Sequence, residues 1–266
     1  MLLADRTVVI SGVGTGLGHE VAAACVREGA SVVLGARTEA HLAACAETVD
    51  PSGARSAYRT VDIRDERQCE ALAAEAVDRF GGIDAVVHVA ALDTVMGGIE
   101  GADLAEWQTV LDVNLLGTLR MTRACLPALK EAGARGNGSG SVVMIGTQSS
   151  VAAPAQVQQT AYAASKGALV SAMYSLAREL GPHGVRVNTV QPGWMWGPMV
   201  EGYVAWQAAS EGVEPEVVRE RLDARMALPR MAEDADVAET ATFFASPRAR
   251  GITGQCLLVN AGELMR

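Results

Sequence analysis

Tyr162 and Lys166 are the residues whose types and spacing most directly suggest chemistry. They lie four residues apart in a segment with helical spacing of apolar residues, so they share one face of a predicted helix. A phenol has a pKa of about 10 and is a poor acid or base near neutral pH. A nearby ammonium stabilises the phenolate and lowers that pKa. The pair could therefore give a proton to a carbonyl oxygen or take one from an alcohol.

Chance accounts poorly for this pair because lysine is rare in the chain. Of the 22 Lys plus Arg residues, only Lys130 and Lys166 are lysines, and there are four tyrosines. Random placement gives about 0.03 expected pairs with this spacing, an estimate from composition alone. A compact ammonium with three donors suits ribose hydroxyls and a phenol better than a planar guanidinium does.

A glycine-rich segment directly after the first predicted strand indicates a dinucleotide site. Residues 11–18 have the sequence Ser-Gly-Val-Gly-Thr-Gly-Leu-Gly and precede a predicted helix. Glycines allow the backbone to approach a pyrophosphate, and the free N–H groups of a helix N-terminus bind the anion. We therefore expect a set of loop residues to contact the cofactor, namely Gly12, Gly14, Thr15, Gly16, Leu17 and Gly18.

The end of the second predicted strand bears on the choice of cofactor. A site for NAD usually has an acidic residue here, which binds the ribose 2′-hydroxyl. This chain has Ala36 followed by Arg37, and a guanidinium suits a 2′-phosphate. NADP(H) is therefore favoured, with NAD(H) as the alternative. Asp62, after the third predicted strand, is placed either to contact the adenine or to form a turn.

The rest of the chain alternates between short Val/Ile-rich runs and longer segments with helical spacing. This alternation predicts an α/β fold with one Rossmann-type domain over residues 1–266, a doubly wound parallel sheet of about seven strands with helices on both faces. The predicted strands are Thr7–Ser11, Ser31–Leu34, Ala57–Val61, Ala85–Val89, Ser141–Ile145, Val185–Val190 and Cys256–Val259. The clearest predicted helices are Gly18–Glu28, Glu39–Thr48, Glu66–Phe80, Leu104–Lys130, Thr160–Leu180 and Ala235–Ala245. Residues 193–228 have no predicted strand and are expected to form a substrate lid over the C-terminal edge of the sheet.

The motifs occur in an order that is specific to one protein family. Gly12-x-x-x-Gly16-x-Gly18 is followed by Asn114, then Tyr162-x-x-x-Lys166, Pro192-Gly193 and a C-terminal segment, 251–262, with glycines at both ends. In this order they resemble the short-chain dehydrogenase/reductase (SDR) family, in particular its 3-oxoacyl-ACP reductase-like members, over nearly the whole chain. The resemblance implies hydride transfer between a nicotinamide and a ketone or secondary alcohol, with Tyr162 as the acid/base and Lys166 also binding the ribose. It adds four residues to the expected cofactor site, namely Ile63, Ala90, Pro192 and Gly193.

The resemblance also implies roles for further polar residues. Asn114 corresponds to an asparagine that holds a water linking the lysine to solvent. In the family, a hydroxyl ahead of the tyrosine binds the substrate oxygen. Both Thr147, by strand register, and Ser149, by the usual spacing, fit this role. Thr147 is favoured because loops absorb insertions more easily than buried strands shift register. Where the family commonly has Asn-Asn-Ala-Gly, residues 88–91 are His-Val-Ala-Ala, and we expect His88 to be a structural residue with backbone partners.

Aromatic residues are concentrated after the Pro192-Gly193 motif. Trp, Tyr and Phe number 4, 4 and 3 in the chain, and four of these eleven fall within residues 194–206. Trp194, Trp196 and Met199 are therefore expected to line a pocket for an apolar, bulky substrate. Packing between subunits is the alternative, since the family implies a homo-oligomer, either a tetramer or a dimer.

Composition excludes several other classes. The net charge of −9 argues against nucleic acid as a partner. No apolar run approaches the ~20 residues of a membrane helix, and the first residues do not resemble a signal peptide, so we expect a cytoplasmic protein without a membrane partner. The five cysteines show no CxxC spacing, and no metal site is expected. Two alternatives remain: an NAD-linked dehydrogenase that works towards oxidation, and a non-catalytic dinucleotide-sensing regulator.

Overall fold

The computed structural model describes residues 1–154 and 157–265, and these residues form nine strands. The strands are β1 (Thr7–Ser11), β2 (Ser31–Ala36), β3 (Ser56–Thr60), β4 (Ala85–His88), β5 (Ser141–Ile145), β6 (Arg186–Pro192), β7 (Met195–Trp196), β8 (Ala232–Glu233) and β9 (Cys256–Val259). Seven of them form one parallel sheet in the order β3-β2-β1-β4-β5-β6-β9. The predicted doubly wound sheet is therefore confirmed. Its strand order reverses between β1 and β4, which is where sheets of this type bind ligands.

The main helices cover both faces of this sheet. They are α1 (Leu17–Arg27), α2 (Glu39–Val49), α3 (Glu66–Phe80), α4 (Leu104–Leu111), α5 (Thr118–Ala134), α6 (Thr160–Leu180), α7 (Pro198–Glu211), α8 (Pro215–Asp223) and α9 (Asp234–Ala245). Successive residues of β1 point to opposite sides, so that Val8 and Ile10 pack with α1 and α9 while Val9 packs with α3 and α5. The sheet is therefore packed between two buried apolar layers. Among the described residues, no helix is long and apolar enough to cross a membrane.

The predicted helix Leu104–Lys130 is interrupted in the structure. A π-helical turn, Asp112–Gly117, separates α4 from α5, and Asn114 lies inside it. A π turn widens the helix and is often found at functional sites. Gly117 allows this widening to pack closely, because a Cβ there would lie 2.7 Å from the Ile63 side chain. Apolar spacing runs through both helices and so could not reveal the interruption.

The prediction that residues 193–228 contain no strand is wrong. Met195–Trp196 forms the short strand β7, which pairs in parallel with β8. Two residues are too few for a recognisable pattern, and the partner lies more than 30 residues along the chain. The segment also contains α7 and α8, which share a small apolar core with Met231; its buried members are Val204, Ala208, Val218, Leu222 and Met231. We call residues 193–228 the lid.

Candidate active site

A cleft of about 450 Å³ opens at the carboxyl ends of β1, β2 and β4. Parallel strands end at the same edge of the sheet, so the loops that follow them meet there. Six residues of the predicted cofactor site line this cleft, namely Gly12, Gly14, Arg37, Asp62, Ile63 and Ala90. Thr15 is exposed on the same loop, whereas Leu17, the first residue of α1, is buried in the core. The cleft has the position expected for a dinucleotide.

The glycine loop owes its shape to close backbone contacts. Gly12 has φ +97°, and a Cβ there would lie 2.1 Å from the backbone nitrogen of Ala90. A Cβ at Gly18 would lie 2.3 Å from the carbonyl oxygen of Gly12. Gly14, by contrast, borders open space. At the start of α1, Gly16 provides no side-chain cap, so the first-turn N–H groups have no side-chain acceptor there. An anion could accept their hydrogen bonds.

Basic side chains lie along the edge of the cleft where β2 and β3 end. Arg37 is exposed on this edge, together with His41 and Arg64. Arg64 forms an ion pair with Asp62 at 2.6 Å, and its backbone N–H also donates to the Asp62 carboxylate. Asp62 thus forms the predicted turn and also lines the cleft, while its contact with an adenine stays a prediction. Within residues 1–154 and 157–265, Arg37 makes no ion pair, so its guanidinium is available to a ligand.

Tyr162 and Lys166 lie on one face of α6, as predicted. Lys166 is only 1% exposed, and its Nζ donates a hydrogen bond of 2.6 Å to the backbone oxygen of Ile145 at the end of β5. The same Nζ lies 5.8 Å from the centre of the Tyr162 ring. Burial lowers the pKa of Lys166 to about 8, while Asp93 opposes this shift. The ammonium is thus held between the sheet and the phenol.

The acidity of Tyr162 differs from the sequence-based expectation. Burial raises the pKa of the phenol above its usual value, the Asp93 carboxylate raises it further, and a hydrogen bond with Thr147 lowers it. The Nζ of Lys166, which the sequence suggested would lower this pKa, is bonded to the carbonyl of Ile145. In the structure Tyr162 is therefore held in its protonated form.

The structure brings Thr147, not Ser149, to the tyrosine. Thr147 follows the end of β5, is 8% exposed and lies near enough to Tyr162 to lower the pKa of the phenol. Ser149 lies in the 3₁₀ turn Gln148–Ser150, and its backbone N–H donates to the Thr147 hydroxyl at 3.2 Å. The hydroxyl predicted from strand register is the one beside the phenol.

Asn114 is completely buried, and its side chain forms three hydrogen bonds. Its Oδ1 accepts from the Leu92 N–H at 2.7 Å, and its Nδ2 donates to the Leu92 carbonyl and the Ser165 hydroxyl, each at 3.0 Å. Asn114 therefore ties the loop after β4 to α6. Its predicted role in a water relay to Lys166 stays a prediction.

His88 is structural, although its partners are not the expected ones. Its ring nitrogens contact the hydroxyls of Ser11, at 3.2 Å, and Thr122, at 2.9 Å, rather than backbone groups. Burial, with the nearby Lys166 charge, lowers the pKa of His88 to about 3. The neutral imidazole bridges β1, β4 and α5, and it is not a base near neutral pH.

Sequence reasoning missed Asp93, which lines the cleft five residues after the end of β4. Its charge acts on both Tyr162 and Lys166. The only sequence signal was an acidic residue shortly after the small pair Ala90-Ala91, in a loop with no regular pattern. In this structure, Asp93 lines the cleft and acts electrostatically on the Tyr162 and Lys166 pair.

Two of the three predicted substrate residues pack within the lid. The Trp194 ring lies 5.0 Å from that of Tyr203, and Trp196 lies 4.0 Å beneath the guanidinium of Arg219. Met199 is 68% exposed at the start of α7. The adjoining Gly193 packs tightly, since a Cβ there would lie 2.8 Å from Asn260. Met199 is therefore the member of the three with most of its surface free.

Asp234 connects the lid to the glycine loop. A Cβ at Gly197 would lie 2.7 Å from its carboxylate, and one at Gly16 would lie 3.0 Å away. Burial raises the pKa of Asp234 to about 6, and the carboxylates of Glu20 and Glu201 raise it as well. No group of three or more His, Cys, Asp or Glu within the described ranges has a geometry that could hold a metal.

The fold and the site together define an α/β oxidoreductase with a dinucleotide cleft, and comparison with known proteins places it more closely. Residues 12–263 match a family model described as enoyl-(acyl carrier protein) reductase. The chain is 33% identical to the short-chain reductase protein NovJ of Streptomyces niveus, over 97% of this chain and 94% of that protein. It is also 33% identical to L-rhamnose 1-dehydrogenase (NAD(P)(+)) of Azotobacter vinelandii, over 98% of each.

A solved structure of a short-chain type dehydrogenase/reductase from Mycobacterium ulcerans superposes with a TM-score of 0.85 at 28% identity, covering 99% of this chain and 91% of that one. The chain belongs to the short-chain dehydrogenase/reductase family.

The raised pKa of Asp234 leads to a prediction for stability. An unfolded aspartate has a pKa of about 3.9, so between this value and about 6 the folded protein binds more protons at Asp234 than the unfolded chain does. The contribution of Asp234 to the free energy of unfolding is therefore present at low pH and is lost as the pH rises through that window. Asn cannot ionise. We expect the melting temperature of Asp234→Asn, relative to wild type, to increase between pH 4.5 and pH 7.5.

Thermal unfolding at both pH values measures this difference. Asp78→Asn, which changes an exposed carboxylate on α3, is the control. If the melting temperature of Asp234→Asn differs from that of wild type by the same amount at both pH values, the prediction is contradicted.

Proposed function

We propose that this protein is an NAD(P)-dependent oxidoreductase that interconverts a ketone and a secondary alcohol, with Tyr162 as the acid/base. The observation that carries the proposal is the placement of the Tyr162 ring within 5.8 Å of the buried Lys166 ammonium, with Thr147 near enough to lower the pKa of the phenol. These groups lie at the carboxyl edge of the sheet, where the dinucleotide cleft also opens. Related proteins named as a short-chain reductase and as an NAD(P)(+) dehydrogenase support the same class of reaction.

The residues around the cleft fit a dinucleotide. Gly14 borders open space, and the N-terminus of α1 has no side-chain cap where a pyrophosphate would lie. The nicotinamide, when bound, supplies or accepts the hydride. Lys166 would hold the ribose hydroxyls. In this proposal, further residues support or shape the cofactor site, namely Thr15, Gly16, Leu17, Gly18, Asn114, Pro192 and Gly193.

Thr147 and Tyr162 would act together on the substrate oxygen. Thr147 donates a hydrogen bond to the carbonyl oxygen and Tyr162 gives it a proton, or each step runs in reverse. Ketone reduction requires Tyr162 to begin the reaction protonated, and burial and the Asp93 carboxylate both favour that form. The exposed Met199 and Trp206 of the lid support an apolar and bulky substrate.

The first test concerns Tyr162. We expect Tyr162→Phe to lower kcat at least about a hundredfold, because proton transfer by a positioned side chain contributes about 10²- to 10⁴-fold. Cofactor binding, measured by the quenching of protein fluorescence, should be nearly unchanged. Tyr58→Phe, which changes a tyrosine on the edge strand β3, is the control. Turnover of Tyr162→Phe close to the wild-type rate would refute the mechanism. A wild-type protein that binds NADP(H) but turns over no ketone or alcohol would favour the sensing alternative.

Thr147 and Ser149 can be separated by paired variants. We expect Thr147→Ala to lower kcat by about tenfold or more, since a lost hydrogen bond to a developing charge is worth about 1.5–3 kcal/mol. Thr147→Ser should retain most of the wild-type kcat, because it keeps the hydroxyl. Ser149→Ala should have little effect. If Ser149→Ala causes the larger loss in steady-state assays, the assignment of the hydroxyl is reversed.

Arg37 supports NADP(H) as the preferred cofactor. Its guanidinium is free at the cleft edge where the 2′-phosphate would lie. We expect Arg37→Asp to weaken NADP(H) binding by about 10- to 100-fold while NAD(H) binding is maintained or improved, because charge-assisted hydrogen bonds are worth about 1.5–3 kcal/mol. Titration of both cofactors gives the ratio of dissociation constants. Arg248→Asp, at an exposed arginine before β9, is the control, and an unchanged ratio in Arg37→Asp would show that Arg37 does not contact the 2′-phosphate.

A further inference from the structure

We propose that Asp93 determines which substrates the enzyme accepts, because its carboxylate accepts a hydrogen bond from a second hydroxyl of the substrate. The substrate class would be hydroxyketones and the corresponding diols: apolar molecules with one additional hydroxyl near the reacting carbon. This inference rests on the proposed oxidoreductase function and deepens it.

Hydrogen bonds to the π turn that contains Asn114 and to the start of α6 set the position of Asp93. The backbone of Leu92, next to it, is held by both ends of the Asn114 amide. The carbonyl of Asp93 itself accepts a hydrogen bond from Gln159, three residues before Tyr162. The backbone of Asp93 is therefore tied to Asn114 through Leu92 and to the residue that precedes α6.

A second anchor lies further along the same loop. The Gly97 N–H donates to the carbonyl of Gln158 at 2.7 Å, and the Thr160 N–H donates to the carbonyl of Gly97 at 3.3 Å. The loop from Leu92 to Gly97 is thus bonded to the start of α6 at both ends. Asp93 must stay with the helix that carries Tyr162.

The carboxylate of Asp93 has no partner that would give it a structural role. Asp93 is half-buried and lines the cleft, yet within residues 1–154 and 157–265 its carboxylate forms neither a hydrogen bond nor an ion pair. Asp84 shows the contrast, because its carboxylate binds Arg6, Arg135 and the N–H of Thr7. A half-buried carboxylate with free lone pairs is placed to accept hydrogen bonds from a ligand.

Charge at the site favours a neutral donor over a cation. Lys166 already brings a buried ammonium to the reaction centre, and an ammonium on the substrate would be repelled by it. A hydroxyl donates to the carboxylate without adding charge. An apolar group placed against Asp93 would displace water from the carboxylate without replacing the hydrogen bonds that the water made. A site of this kind discriminates strongly against an analogue that lacks the hydroxyl.

The charge of Asp93 also acts on the reacting groups. After the larger effect of burial, Asp93 raises the pKa of Tyr162. The same carboxylate acts on Lys166, so in this proposal one substrate molecule contacts both Asp93 and the phenol. The hydroxyl that Asp93 binds would lie near the carbonyl carbon, within the reach of a small ring.

Binding measurements that do not depend on turnover test this inference directly. The Tyr162→Phe variant is saturated with NADP⁺ and titrated calorimetrically with cyclohexanol and with cyclohexane-1,2-diol, -1,3-diol and -1,4-diol. We expect at least one diol to bind about tenfold or more tightly than cyclohexanol, as is typical of a hydrogen bond to a charged group. The added change Asp93→Asn should remove most of this preference. Glu100→Gln, at an exposed carboxylate in the 3₁₀ turn Ile99–Gly101 after the same loop, should leave it unchanged.

Three results would overturn the inference. Equal affinities for cyclohexanol and all three diols would show that no second hydroxyl is recognised. If the tighter binding of a diol persists in Asp93→Asn, another group recognises the second hydroxyl. A gain in affinity for 4-aminocyclohexanol that depends on Asp93 would show that the carboxylate binds cations instead.

Kinetics and cofactor binding separate failure of this inference from failure of the proposed function. In the otherwise wild-type enzyme, Asp93→Asn should raise KM for 2-hydroxycyclohexanone relative to cyclohexanone. The dissociation constant for NADP⁺ should stay within about twofold, since a hydrogen bond to the second hydroxyl discriminates between substrates and does not involve the cofactor. Loss of NADP⁺ affinity with an unchanged KM ratio would place Asp93 at the cofactor and refute the inference. Absence of turnover with every ketone refutes the proposed function, and the titrations above still decide whether Asp93 binds a hydroxyl.

Discussion

Lys166 carries its ammonium into the protein interior, and the hydrogen bond to the carbonyl of Ile145 makes this possible. A buried charge is costly unless polar groups satisfy it, and here the free carbonyl at the end of β5 provides an acceptor. The bond joins α6 to the centre of the sheet, so the helix that bears Tyr162 is fixed against the strand that leads to Thr147. The arrangement of the phenol and the hydroxyl follows from this one contact.

The same buried charge explains the neutral groups around it. His88 lies near Lys166 and is kept neutral by burial and by that charge, so it bridges Ser11 and Thr122 instead of acting as a second cation. A protonated imidazole there would repel the ammonium in a region with little water. The departure from the family's usual residues after β4 therefore preserves a hydrogen-bonded link between strands and helix without adding charge.

Carboxylates are placed at two other points where the lid and loops meet the cleft. Asp93 lines the cleft, and Asp234 fills the space that side chains at Gly16 and Gly197 would otherwise occupy. In each case the surrounding backbone is held by hydrogen bonds or close packing, so the charge cannot move far from its site. Two carboxylates are thus held near the cleft and near the glycine loop by the backbone around them.

The sequence by itself determined the features that depend on local spacing. The glycine loop, the Tyr162 and Lys166 pair and the seven-strand parallel sheet could all be predicted, because each is encoded in neighbouring residues or in the alternation of apolar runs. Only the tertiary structure decided which hydroxyl reaches Tyr162, since Thr147 and Ser149 differ by two positions in a loop whose path depends on β5 and α6. It also decided the π turn at Asn114, the pairing of β7 with β8 and the place of Asp93. These features arise from hydrogen bonds and packing between segments far apart in the chain, and no local pattern of residues records them.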